Sequence, residues 1–79
     1  MDIKILGKGC PKCKKLEEVA HAAAVEAGVD ATITHVTDMA EIVKLVAMTP
    51  GLVIDGEVKS SGRIPPKHEI VGWIKAAAA

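Results

Sequence analysis

The chain predicts a small mixed-sheet α/β domain, and three observations carry that expectation. A stretch with strand period runs into one with helical period, and the alternation repeats once over residues 2–47. An Asp55-Gly56 pair then joins two β-prone runs, which reads as an antiparallel hairpin. A last apolar stripe at helical spacing closes the chain.

Residues 2–7 alternate Ile3 and Ile5 with polar neighbours and end in Gly7-Lys8-Gly9, a strand (β1) running into a loop. From Pro11, the apolar positions Leu16, Val19, Ala20, Ala23 and Ala27 recur every three or four residues until Gly28 stops them, which sets the first helix (α1). Residues 31–36 are rich in Thr and β-branched side chains and form the second strand (β2). Asp38 can cap a second helix (α2) whose apolar positions are Met39, Ile42, Val43, Val46 and Ala47. This order implies parallel pairing of the first two strands through a right-handed crossover. After Thr49-Pro50, residues 52–54 (β3) and 57–59 (β4) flank the Asp-Gly turn, and Ser60-Ser61-Gly62 should end the last strand. Pro65-Pro66 opens the final helix (α3), with Ile70, Val71, Trp73 and Ile74 as its stripe and four terminal alanines expected to fray. Trp73 reads as the packing anchor of that helix. The element order is thus β1-α1-β2-α2-β3-β4-α3 in one domain, residues 1–79.

Composition narrows the function. Hydrophobic residues make up 49% of 79 positions, but twelve are alanines, so the core depends on Ile, Val and Leu. A chain of this size buries only about 60% of its unfolded surface, so modest stability is expected. Ten basic and ten acidic residues cancel, and a single aromatic offers no platform for stacking bases, so nucleic acid is not an expected partner. No apolar run approaches the ~18 residues a spanning helix needs, and the first ten residues have no signal-peptide core, so no membrane is expected and the location reads as cytoplasmic. Cysteines in such a setting are held reduced, which favours catalysis or metal binding over a structural bridge.

The chemistry therefore concentrates on Cys10-Pro11-Lys12-Cys13. With a helix beginning at Pro11, Cys10 is its N-cap and Cys13 lies in its first turn, so both sulfurs sit near unpaired backbone N–H groups. Those donors, the helix dipole and the cations Lys8 and Lys12 favour thiolate over thiol and lower a cysteine pKa from about 8.5. Pro11 presets the helical φ at the first position. The spacing lets Cys13 reach Cys10, so a mixed disulfide on Cys10 can be resolved internally. Half of the ten basic residues, Lys4, Lys8, Lys12, Lys14 and Lys15, fall in the first fifteen positions, making this end locally positive. Two thiolates at this spacing can alternatively take Cu(I) or supply half of a zinc tetrahedron, and a redox-sensing module is a third reading. His21, His35 and His68 lie in separate elements without ligand spacing to the cysteines and read as surface or edge residues.

Gly9-Cys10-Pro11-Lys12-Cys13 at a strand-to-helix junction, Thr49-Pro50 before the third strand, and the hairpin followed by Gly62 and a closing helix together resemble the thioredoxin-like superfamily, most closely its very small glutaredoxin-like members. The resemblance implies sheet order 2-1-3-4 with helices on both faces, an exposed nucleophilic Cys10, a resolving Cys13 and a cis Pro50. Thr49 would offer its backbone to a substrate chain. It further implies a monomeric thiol-disulfide oxidoreductase without a bound cofactor or metal, fed by a thioredoxin-reductase-type flavoprotein or another dithiol and acting on protein disulfides. Three departures stand out. Gly9 replaces the usual Trp before the first cysteine, and Lys4 stands where the strand usually carries a buried carboxylate, which leaves the base for Cys13 unassigned. Ser60-Ser61-Gly62-Arg63 replaces the glutathione-holding Gly-Gly and paired acids of glutaredoxins.

Overall fold

The computed structural model describes residues 1–7, 11–46 and 48–78. The elements are β1 (Asp2–Leu6), α1 (Pro11–Ala27), β2 (Thr32–Val36), α2 (Met39–Leu45), β3 (Gly51–Ile54), β4 (Glu57–Ser61) and α3 (Lys67–Ala78). The strands form one mixed sheet of order β2-β1-β3-β4. β1 pairs parallel with β2, placing Ile5 beside His35 and Leu6 beside Val36. It pairs antiparallel with β3, placing Ile5 beside Leu52 and Leu6 beside Gly51.

The period-2 pattern of β1 divides the core. Ile3 and Ile5 point to the face covered by α1 and α3, where they meet Leu52, Ile54, Leu16, Ala20, Ala23, Ile70 and Ile74. Each fully buried Ile or Leu there contributes about 1.5–3 kcal/mol relative to an exposed one. Alanines on the inner face of α1 keep the side chains short where α3 lies against it. Leu6 points the other way, into a smaller cluster with Ile42, Val46 and Val53 under α2. Trp73 is half-buried against the larger cluster, as an anchor of α3 should be.

Local chemistry sets the element ends. Gly28 takes φ +69 after α1, its N–H donates to the Val25 carbonyl (3.1 Å) and that of Val29 to the Ala24 carbonyl (3.2 Å), which closes a Schellman motif. Asp38 caps α2 by accepting from the Ala40 N–H at 3.0 Å. Asp55 and Gly56 have φ +49 and +84, the pair of positive values that a type I′ turn requires. The Asp55 carboxylate also accepts from the Asp2 N–H at 2.8 Å, tying the hairpin tip to the start of β1.

Several expectations need correction. Met39 and Val43 are 43% and 65% exposed, so of the expected stripe Ile42 and Val46 are buried and these two are not; Ala47 lies outside the described residues. β4 runs on through Ser60 and Ser61, because the register shifts between Leu52 and Val53 and Lys59 forms the extra residue of a bulge. α3 begins at Lys67, with the Pro66 carbonyl accepting from Glu69 and Ile70, and its alanine tail is helical to Ala78. No helix among the described residues is long and apolar enough to cross a membrane.

Candidate functional site

The described part of the site gathers where β1 ends, α1 begins and the Met48–Pro50 loop enters β3. Cys13 lies in the first turn of α1 and is fully buried. Its neighbours Pro11, Lys12, Lys14 and Lys15 are exposed, so the helix turns its sulfur inward and its lysines outward. Cys10, Gly9 and Lys8 lie outside the described residues. The expectations that Cys10 caps the helix as the more accessible sulfur and that Lys8 flanks it concern residues not described.

Gly7 covers the Cys13 sulfur. A methyl group on Gly7 would overlap Cys13 Sγ outright and would stand 3.3 Å from Cys13 Cβ and 3.9 Å from Thr49 Cβ. Only a residue without Cβ lets the chain leaving β1 pass this close to the thiol. Gly7 is itself fixed: its N–H donates to the Val36 carbonyl at 3.0 Å, and its carbonyl accepts from His35 Nε2 at 2.9 Å. The other nitrogen of that ring, Nδ1, lies 3.4 Å from Glu17 Oε1 on α1. The three histidines thus differ. His21 and His68 are exposed as expected, whereas His35 is on an edge strand but half-buried and engaged at both ring nitrogens.

Thr49 and Pro50 come to the same place. The Thr49–Pro50 peptide is cis, Thr49 is exposed and Pro50 is fully buried. The loop is braced from behind: the Pro50 carbonyl accepts from the Gly62 N–H at 2.9 Å, and Gly62, at φ +73, leaves room for the Met48 side chain. Lys4, which stands in place of a strand carboxylate, is half-buried on the α2 side of the sheet, beside Val53 and Thr34. Sequence reading identified Cys13, Thr49 and Pro50 but not Gly7, Glu17 or His35. The one signal for Gly7 was its place at the end of a strand leading into the cysteine motif, and none marked the Glu17–His35 pair.

Comparison with known proteins agrees with this arrangement. The thioredoxin domain model matches residues 1–75. The chain is 42% identical over 74 residues to a protein named thioredoxin from Methanocaldococcus jannaschii, covering 94% of this chain and 86% of that relative. It is 41% identical over 71 residues to one of the same name from Methanothermobacter thermautotrophicus, covering 89% and 92% of the two chains. With the sheet order, the buried first-turn cysteine and the Thr49-Pro50 loop already in place, the match over nearly its whole length means that this chain belongs to the thioredoxin domain family.

Proposed function

We propose that the protein is a cytoplasmic, monomeric thiol-disulfide oxidoreductase that exchanges electrons with protein disulfides through a reversible Cys10-Cys13 dithiol/disulfide. The observation that carries the reading is the burial of Cys13 in the first turn of α1, under Gly7 and next to the Thr49-Pro50 loop. A sulfur so enclosed is suited to an internal second step and not to first contact with a bulky partner.

In the reducing direction the Cys10 thiolate attacks one sulfur of a substrate disulfide. The substrate S–S bond breaks, a Cys10-substrate disulfide forms, and one substrate thiolate leaves and takes a proton. The Cys13 thiolate then attacks Cys10 Sγ, which expels the second substrate thiolate and leaves a Cys10-Cys13 disulfide. Two electrons pass from protein to substrate, with no bound cofactor. Pro11 fixes the start of the helix, Lys12 favours the anionic sulfur, and the exposed Thr49 backbone beside Pro50 aligns the substrate chain. The disulfide returns to dithiol by electrons from a flavoprotein of the thioredoxin-reductase type or from another dithiol.

Trapping distinguishes the roles. Cys13→Ser should attack a protein disulfide and stall as a stable mixed disulfide on Cys10, detected by mass spectrometry, and Cys10→Ser should trap nothing. Trapping by Cys10→Ser would reverse the assignment. Stoichiometric, tight Cu(I) or zinc binding by a wild-type protein that reduces no disulfide would replace it with metal transfer.

A further inference from the structure

Among the described features the proposed exchange does not use, the Glu17–His35–Gly7 chain ends on the residue that lies over the thiol. It links three elements that are remote in sequence. Glu17 lies on α1 one turn after Cys13, His35 on the edge strand β2, and Gly7 at the exit of β1. The register places His35 beside Ile5, on the face of the sheet that α1 covers, so the ring reaches both α1 and the residue beyond Leu6.

We propose that His35 is a positioning residue for disulfide exchange, using its Nε2–H to hold the Gly7 carbonyl so that Gly7 stays seated over Cys13 Sγ. The inference rests on the proposed exchange function and assigns it a residue outside the cysteine motif.

Hydrogen-bond chemistry fixes the direction of the contact. A carbonyl oxygen only accepts, so at 2.9 Å from Gly7 O the ring must donate from Nε2. Glu17 Oε1 stands 3.4 Å from Nδ1 on the opposite side of the ring and, being an acceptor too, attracts the ring there only when Nδ1 also carries a proton. A ring clamped between a helix and a strand has little rotational freedom, so its donor points one way. Gly7 is then held at both ends of its backbone, by Val36 through N–H and by His35 through C=O. Without the second bond the Gly7 carbonyl can turn toward water, and the cover over the sulfur loosens.

The test compares His35→Leu, which keeps bulk but removes the donor, with His35→Gln, whose amide nitrogen can occupy the place of Nε2. In a Cys10→Ser background Cys13 is the only thiol, and its alkylation by iodoacetamide reports the cover directly. His35→Leu should raise that rate roughly fivefold, the worth of one hydrogen bond in a local opening equilibrium, and His35→Gln should stay within about twofold of the parent. With both cysteines present, reduction of a model protein disulfide should slow by a similar factor in His35→Leu and recover in His35→Gln. Equal effects of Leu and Gln on either readout would overturn the proposal, since shape and not the donor would then matter. So would faster alkylation without slower exchange, because His35 would then merely cover the sulfur. A wild-type protein that reduces no disulfide would remove the exchange function, and the alkylation ratio would still decide whether His35 holds Gly7 over Cys13.

Discussion

Replacing Gly7 by alanine tests the central contact of the site. The added methyl would overlap Cys13 Sγ, and both partners are buried, so neither can swing into solvent. Either the end of β1 must retreat, against the hydrogen bonds to Val36 and His35, or the first turn of α1 must shift with Cys13. Overpacking of this kind costs about 1–3 kcal/mol. For a chain of 79 residues each kcal/mol lowers Tm by about 4–8 °C, so the expected fall is about 5–20 °C.

A double-mutant cycle assigns the cost to the sulfur. In a Cys13→Ala background the clashing atom is gone and the nearest remaining neighbour is Cys13 Cβ at 3.3 Å, a distance that a shift of a few tenths of an ångström relieves. There the Gly7→Ala cost should drop below about 1 kcal/mol, a coupling of about 1–2 kcal/mol between positions 7 and 13. Urea denaturation of the four proteins under reducing conditions measures it without any contribution from a disulfide. Gly56→Ala provides a comparison: its φ of +84 makes alanine costly by about 1–2 kcal/mol, but nothing lies within 4 Å of the new Cβ. Its cost should be the same with and without Cys13→Ala. Additive behaviour of Gly7→Ala and Cys13→Ala would refute the close packing of Gly7 on the sulfur.

Two further outcomes follow from other parts of the molecule. Asp38→Ala removes the side chain that accepts from the Ala40 N–H at 3.0 Å, and in a helix of only seven residues that should cost about 1 kcal/mol of stability, read from urea melts. Lys12, Lys14 and Lys15 are exposed on the first turns of α1, so reduction of the protein by an acidic reductase should slow several-fold as salt rises from about 0.05 to 0.5 M, and a flat profile would make these lysines ordinary solvated surface.

The sequence made some of these features legible and hid others for identifiable reasons. Asp55-Gly56, Gly28 and Asp38 act within a few residues of themselves, so their turn, stop and cap were readable directly. The apolar stripe of α2 was readable as periodicity, but periodicity does not reveal how much surface lies opposite. Among the described residues the cluster under α2 holds Leu6, Ile42, Val46 and Val53, with Val36 beside it, and Met39 and Val43 stay exposed outside it. Ser60 looked like the end of a strand because serines and a glycine follow one another. The bulge at Lys59 brings Ser60 opposite Leu52, where it is buried, and a register shift of that kind leaves no mark in composition. The cysteine motif was legible through its spacing. His35 was not, because its role depends on a parallel pairing that sets residue 35 beside residue 5.

That pairing also explains how so small a chain can build a defined site. The residues around Cys13 lie in loops and at element ends, the least ordered parts of most folds, and backbone hydrogen bonds to neighbouring strands or loops compensate. On one side, Val36 and His35 of β2 hold Gly7; on the other, the Gly62 N–H beyond β4 holds the Pro50 carbonyl at the entry to β3. The two supports come from the outer strand β2 and from the chain just past the opposite outer strand β4, and they act on residues at the adjoining ends of the central strands β1 and β3. Cys13 therefore sits at the meeting point of two segments, each anchored outward, while the fully buried Ile5 and Leu52 beneath keep the strands themselves in register. The arrangement needs no large core at the site itself. It does need a glycine where the thiol approaches and a donor to that glycine's carbonyl, which is why Gly7 and His35 belong to the site together with Cys13.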